Sequence, residues 1–204
     1  AYTAQVVLLT VLAIHFAEIL GSYEQAKLEE LKSEISSLPA KLETILEEET
    51  TLKDIASKIY TEHDMYFLGR GTDYHVAMEG SLKVKEISYI HSEAYASGEL
   101  KHGTIALIEN NITVIGILTN PELTPKSISN IQEVVSRGAK TIVVTNQNLT
   151  NVNFDFVIRI PEVDSLISPI LSVVPLQLLA YYISKSKGLD VDKPRNLAKS
   201  VTVE

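Results

Sequence analysis

MYFLG, residues 65–69, is a short apolar run closed by a glycine, and it reads as a buried strand. Residues 74–90 after it have the look of a helix, and helix and strand alternate from there on. TVIGILT (113–119) is a strand, 121–137 is a helix ending before Gly138, TIVVTN (141–146) and FVIRIP (156–161) are strands, and a long helix runs from Ser168 to Lys187. Strands that are apolar throughout, separated by helices of this length, predict a mostly parallel sheet covered on both faces. Ligands of such sheets bind at the carboxyl ends of strands, near a switch in strand order.

Upstream of MYFLG the pattern is helical. Leu28, Leu31, Ile35 and Leu38 form one apolar stripe, Pro39 is expected to restart a helix through Leu42, Ile45 and Leu46, and a third helix spans Leu52 to Tyr60. The first seventeen residues, Ala1 to Ala17, carry no formal charge, and VVLLTVLAIHFAEIL (6–20) is apolar enough to raise a membrane span. His15 and Glu18 interrupt it, no basic flank precedes it, and the features of a signal peptide are missing, so it is read as a buried core helix. The last stretch, 188–204, has no helical period and on composition is a loose terminus.

Composition narrows the chemistry. The 204 residues, 45% of them apolar, suffice for one sizeable core. A net charge of -8 with no basic stripe argues against nucleic acid as a partner, while leaving room for a small phosphorylated metabolite held by local donors. With no cysteine the chain has no disulfide, thiolate metal site or thiol nucleophile, which fits a reducing cytoplasm. His15, His63, His75, His91 and His102 include no pair at i, i+4, so neither a metal nor another cofactor is expected.

FLGRG (67–71), EGSLKVKEISYIHSEAYASGELKHG (79–103) and PLQLLAYYISKSKGLDVDKPRNLAKSVTVE (175–204) resemble the isomerase domain of the glutamine:fructose-6-phosphate aminotransferase family, the glucosamine-6-phosphate synthases. The resemblance runs the length of the chain in consistent order, and DKPRNLAKSVTVE is its most specific part. It implies an α/β fold of the sugar-isomerase (SIS), flavodoxin-like type with a non-regular C-terminal tail. Residues 1–21 correspond to the end of a first SIS copy, 22–187 to the second SIS subdomain, and 188–204 to an active-site tail. A glutaminase domain and most of the first copy are the implied missing partners. The implied setting is a cytoplasmic homodimer away from membranes, and the implied enzyme converts fructose 6-phosphate and glutamine-derived ammonia to glucosamine 6-phosphate. A non-catalytic SIS module that binds a sugar phosphate or dimerises is the alternative.

The resemblance also implies roles for single residues. Glu86 matches the base that moves a proton between C1 and C2 of the sugar, and Lys83 belongs to the same proton-transfer site. Read on helical spacing alone, the two are an ordinary i, i+3 pair on one face. His102 matches the residue that opens the sugar ring, contributed across a dimer interface, although Thr104 stands where the family usually has proline. Lys199 matches the lysine that forms a Schiff base with the open-chain ketose, and Ala198 a position whose backbone contacts the substrate. Arg195 and Asn196 are suited to anchoring the tail. Gly69, Arg70, Gly71 and Thr72 follow a strand and form a turn that is read as structural, because the family's phosphate loops belong to the first copy.

Overall fold

The computed structural model describes residues 2–197; Ala198 and Lys199 lie outside them. Five strands form one sheet in the order β2-β1-β3-β4-β5: β1 (Asp64–Gly69), β2 (His91–Ala96), β3 (Thr113–Leu118), β4 (Lys140–Thr145) and β5 (Phe156–Arg159). Every neighbouring pair is parallel. Alternation along the strands sorts the core into two layers. Met65, Phe67, Ile115, Ile117, Ile142 and Val144 enter the larger cluster, which takes in α3 (Glu49–Ile59), α4 (Thr72–Ser88) and α6 (Ser168–Ser186). Tyr66, Leu68, Val114, Leu118 and Val143 face the smaller one, under α5 (Thr124–Val135). The sheet, its parallel sense and its two covered faces follow the sequence pattern.

Two expectations and one omission are corrected. The first concerns Pro39, which lies inside a single helix, α2 (Gln25–Glu47), and does not restart one. A proline in a helix interior costs roughly 3 kcal/mol. Here Leu28, Leu31, Leu38 and Ile45, all buried, keep one stripe in register across it, so their shared burial carries the helix through. The second correction is β2, whose polar sequence HSEAYA gives no strand signal. It is an edge strand paired with β1 from Asp64↔His91 to Gly69↔Ala96, and it is pinned to α4 where the Ser92 hydroxyl donates to the Ser81 carbonyl at 2.8 Å.

The third correction is the opening helix, α1 (Tyr2–Leu20), which is not a buried core helix. It lies against α2 and α6, yet Ile14 is its only buried residue, and Leu9, Phe16 and Leu20 are exposed. Apolar residues surround the helix while cover comes from one side only. By length and composition α1 is also long enough to cross a membrane. An ion pair from Lys32 to Glu18 at 2.8 Å ties its end to α2.

Chain order reverses across the sheet between β1 and β3, which opens the crevice where parallel sheets take ligands. In this chain a buried polar cluster lies at its base. β1 passes into α4 through a turn at Gly71 (φ 57), and a side chain on Gly69 would strike the Asp73 backbone at 2.3 Å. That turn drives the Asp73 carboxylate into the crevice, where it accepts the Thr119 backbone N–H at 2.9 Å and the Thr119 hydroxyl. The Thr119 hydroxyl lies 2.8 Å from that of Ser168, so α4, β3 and α6 meet at one buried polar cluster. Burial pushes the Asp73 carboxyl above the usual carboxylate range, and the Thr119 bonds only partly offset this. Gly69–Thr72 form the turn that sets Asp73 in this position.

Candidate active site

α4 carries the residues of interest because both of its sides are committed. Val76, Ala77, Val84 and Gly80 are buried on the side facing the sheet and α6. At Gly80 a methyl group would come within 2.6 Å of Leu176 Cδ1, so glycine sets the separation of α4 and α6. The outer stripe is left to Glu79, Lys83 and Glu86, at the i, i+4 and i, i+3 spacing that stacks side chains along one helix face.

These three form a row of alternating charge. Lys83 Nζ donates to Glu86 Oε2 at 2.6 Å and lies 3.6 Å from Glu79 Oε1. The Lys83 and Glu86 side chains are each 30% exposed and that of Glu79 only 12%, so the row is partly shielded yet open to a ligand. Burial alone would lower the Lys83 pKa. The bond to Glu86 and the charges of Glu79 and Glu86 outweigh it and hold the amine above its usual range. Lys83 is therefore an ammonium at neutral pH and cannot accept a proton; of the bonded pair, only the Glu86 carboxylate has that capacity.

Next to this row is an open hollow of about 680 Å³, lined by Tyr2, His75, Glu79, Lys85, Glu93 and Tyr95 among others. Burial, reinforced by the nearby Glu79 charge, raises the Tyr2 hydroxyl above its ordinary value. The hollow combines proton carriers with apolar walls and can take a polar molecule the size of a sugar phosphate.

His102 is on a different element. It ends a 3-10 turn, Leu100–His102, and is exposed. Among the described residues no hydrogen bond or ion pair joins its side chain to Glu86. Gly103 follows at φ 149, then a second 3-10 turn, Thr104–Leu107, that begins at the residue departing from the family's proline. Arg195 and Asn196 are exposed as well, but the Arg195 backbone N–H donates to the Tyr89 hydroxyl at 2.8 Å, so the tail does touch the end of α4. Neither Glu79 nor Tyr89 was singled out by sequence reasoning. For Glu79 the signal was present as a second carboxylate four residues before Lys83; for Tyr89 it was not, because its contact is with a residue 106 positions away. Among the described residues no cluster of metal-ligating side chains occurs.

The sequence profile of the SIS domain family matches residues 58–184, from the end of α3 to the end of α6. The chain belongs to the SIS domain family. It is 58% identical over its whole length to a glutamine–fructose-6-phosphate aminotransferase [isomerizing] of Clostridium perfringens, and 44% identical to the one from Thermococcus kodakarensis. It spans about a third of the length of these curated relatives, 34% in both cases. In three dimensions it superimposes on the C-terminal domain of glucosamine-fructose-6-phosphate aminotransferase from Francisella tularensis with a TM-score of 0.89 and 36% identity, covering 94% of this chain and 55% of that one. A glucosamine-6-phosphate deaminase from Thermotoga maritima matches at TM-score 0.59 and 24% identity over 91% of this chain and 52% of its own, and shares the fold alone.

Proposed function

We propose that this SIS chain forms the C-terminal part of an isomerase unit that converts fructose 6-phosphate and ammonia to glucosamine 6-phosphate. The observation that carries the reading is the Lys83–Glu86 bond of 2.6 Å on the outer stripe of α4, in a chain whose relatives carry that activity in their names. Residues 1–21 belong to a first SIS copy, 22–187 form the second, and 188–204 are an active-site tail.

In this reading Glu86 takes a proton from C1 of the open-chain sugar and returns it to C2, so the ketose-level carbon is reduced as C1 becomes the aldehyde carbon. Lys83 orients Glu86 and offsets the negative charge that develops as the C1 proton leaves. Lys199, outside the described residues, attacks the C2 carbonyl as a neutral amine and expels water to give a Schiff base. Ammonia then displaces the lysine, which leaves as its amine, and the resulting C2 imine undergoes the proton transfer, while Ala198 offers backbone contacts to the substrate. His102 opens the ring by exchanging protons with the ring oxygen and the anomeric hydroxyl. In this reading His102 reaches the site from a second subunit, which makes the working unit a homodimer. Ammonia is supplied by a glutaminase domain elsewhere in the enzyme, and the setting is the cytoplasm.

The test is to incubate the chain with fructose 6-phosphate and ammonium, alone and joined to the upstream region found in its relatives, and detect glucosamine 6-phosphate by mass spectrometry. Product formation that is lost in Glu86→Gln is expected at least in the longer protein. Turnover by Glu86→Gln equal to wild type would falsify the assignment.

A further inference from the structure

The end of α4 is unusual. Its C-cap, Tyr89, sits in the left-handed region (φ 62, ψ 17), a place where glycine or asparagine is the ordinary occupant and a bulky side chain is strained. Glycine there would terminate the helix as well or better, so helix capping does not account for a tyrosine.

The tail accounts for it. Arg195 engages the same ring twice: its backbone N–H donates to the phenol oxygen at 2.8 Å, and its guanidinium lies 4.1 Å from the ring centroid. One contact places the main chain and the other sets the direction of the side chain. The surrounding residues form a turn on the ring. Pro194 limits the preceding backbone, Asn196 has φ 61, and the Leu197 N–H points to the Pro194 carbonyl at 3.4 Å. Arg195 also lies by the end of α6, where burial and then the Arg195 charge lower the Lys187 pKa. The tail turn is thus held at the end of α4 and lies near the end of α6.

Position along the chain gives this clamp its meaning. Tyr89 comes three residues after Glu86, and Lys199 follows Arg195 by four, a span of at most about 14 Å of extended chain. We infer that Tyr89 is a positioning residue for the proposed reaction: it clamps the tail turn at Arg195 so that Lys199 meets the sugar beside Glu86. This rests on the function proposed above. Tyr89 touches neither substrate nor reacting atoms and acts only through the tail.

The test uses the enzyme carrying its upstream domains, with Tyr89→Gly and Tyr89→Phe. Glycine removes the ring while suiting the left-handed backbone, so its melting temperature is expected to equal or exceed that of wild type. Trypsin should then cut after Arg195 about tenfold faster or more, kcat should fall by about tenfold or more with the KM for fructose 6-phosphate much less affected, and borohydride should trap less sugar on Lys199. Tyr89→Phe keeps the stacked ring and should recover most of the loss. A folded Tyr89→Gly enzyme with wild-type kcat and wild-type trapping would overturn the inference, as would cleavage after Arg195 at the wild-type rate. Should Tyr89→Gly melt early, Arg195→Leu, which removes the stacking alone, decides by the same kcat and trapping readouts. If wild-type enzyme traps no sugar on Lys199, the functional reading fails, while the cleavage rates still report whether Tyr89 holds the tail.

Discussion

Asp73→Asn tests whether the buried polar cluster at Thr119 joins the elements around the crevice. The side chain is 1% exposed, with one carboxylate oxygen taking the Thr119 N–H at 2.9 Å and the other the Thr119 hydroxyl. An amide of the same shape has one acceptor oxygen, so its NH2 must face one of these donors. Hydrogen bonds to a charged group contribute about 1.5–3 kcal/mol each, and a buried donor left unpaired costs about 1–3 kcal/mol. Against this, the amide escapes the desolvation that raises the Asp73 pKa. The net expectation is a loss of about 2 kcal/mol at neutral pH, or about 4–8 °C in Tm for a chain of this size. The pH dependence has a definite sign. A carboxyl whose folded pKa is raised contributes fully below its ordinary value of 3.8, and that contribution declines as the pH rises through the folded value. The deficit of Asp73→Asn relative to wild type should therefore be larger in mild acid than at neutrality. Urea unfolding followed by circular dichroism at several pH values gives both quantities. A loss under about 0.5 kcal/mol, shared by Thr119→Val, would refute the view that this cluster joins α4, β3 and α6.

Other changes probe the remaining elements. Gly80→Ala drives a methyl to 2.6 Å from Leu176 Cδ1 and 3.1 Å from Phe67 Cε1 and should cost about 1–3 kcal/mol in denaturant unfolding. Glu86→Gln in the enzyme with its upstream domains should lower kcat by about 10²–10⁴-fold while leaving the KM for fructose 6-phosphate nearly unchanged, measured by steady-state kinetics. The Tyr182 hydroxyl is pushed up to about 12 by burial and by its bond to Glu49, so its contribution is present below the ordinary value of 10.0 and is lost as the pH rises through about 12. Tyr182→Phe should flatten that alkaline limb in thermal melts. Leu9→Lys combined with Phe16→Lys, at positions 64% and 57% exposed, should leave the circular dichroism spectrum unchanged and reduce self-association in sedimentation.

The candidate site was partly legible in the sequence. Lys83 and Glu86 share a helix face by spacing, and the bond between them could be anticipated; that Glu79 extends the row and flanks a hollow follows from how α4 sits beside β2 and α1. His102 was named only by likeness, and its distance from Glu86 is a matter of where the loop after β2 lands. Lys199 lies outside the described residues, so the structure bears on the tail through the contact between Arg195 and Tyr89.

The amino-acid sequence alone determined the parallel α/β class, because continuous apolar runs bounded by glycines and separated by amphipathic helices have few other ways to bury themselves. It did not determine β2, since HSEAYA becomes a strand only by adding to an existing edge at β1, nor the continuity of α2 through Pro39, which is carried by burial along one stripe. Nor did it determine the exposure of α1, as an apolar helix is buried only where something covers it. The Asp73 cluster and the Tyr89–Arg195 clamp each join residues far apart in the chain, 46 and 106 positions. Local propensity has no term for such pairs, and only the packed sheet and helices bring them within hydrogen-bonding distance.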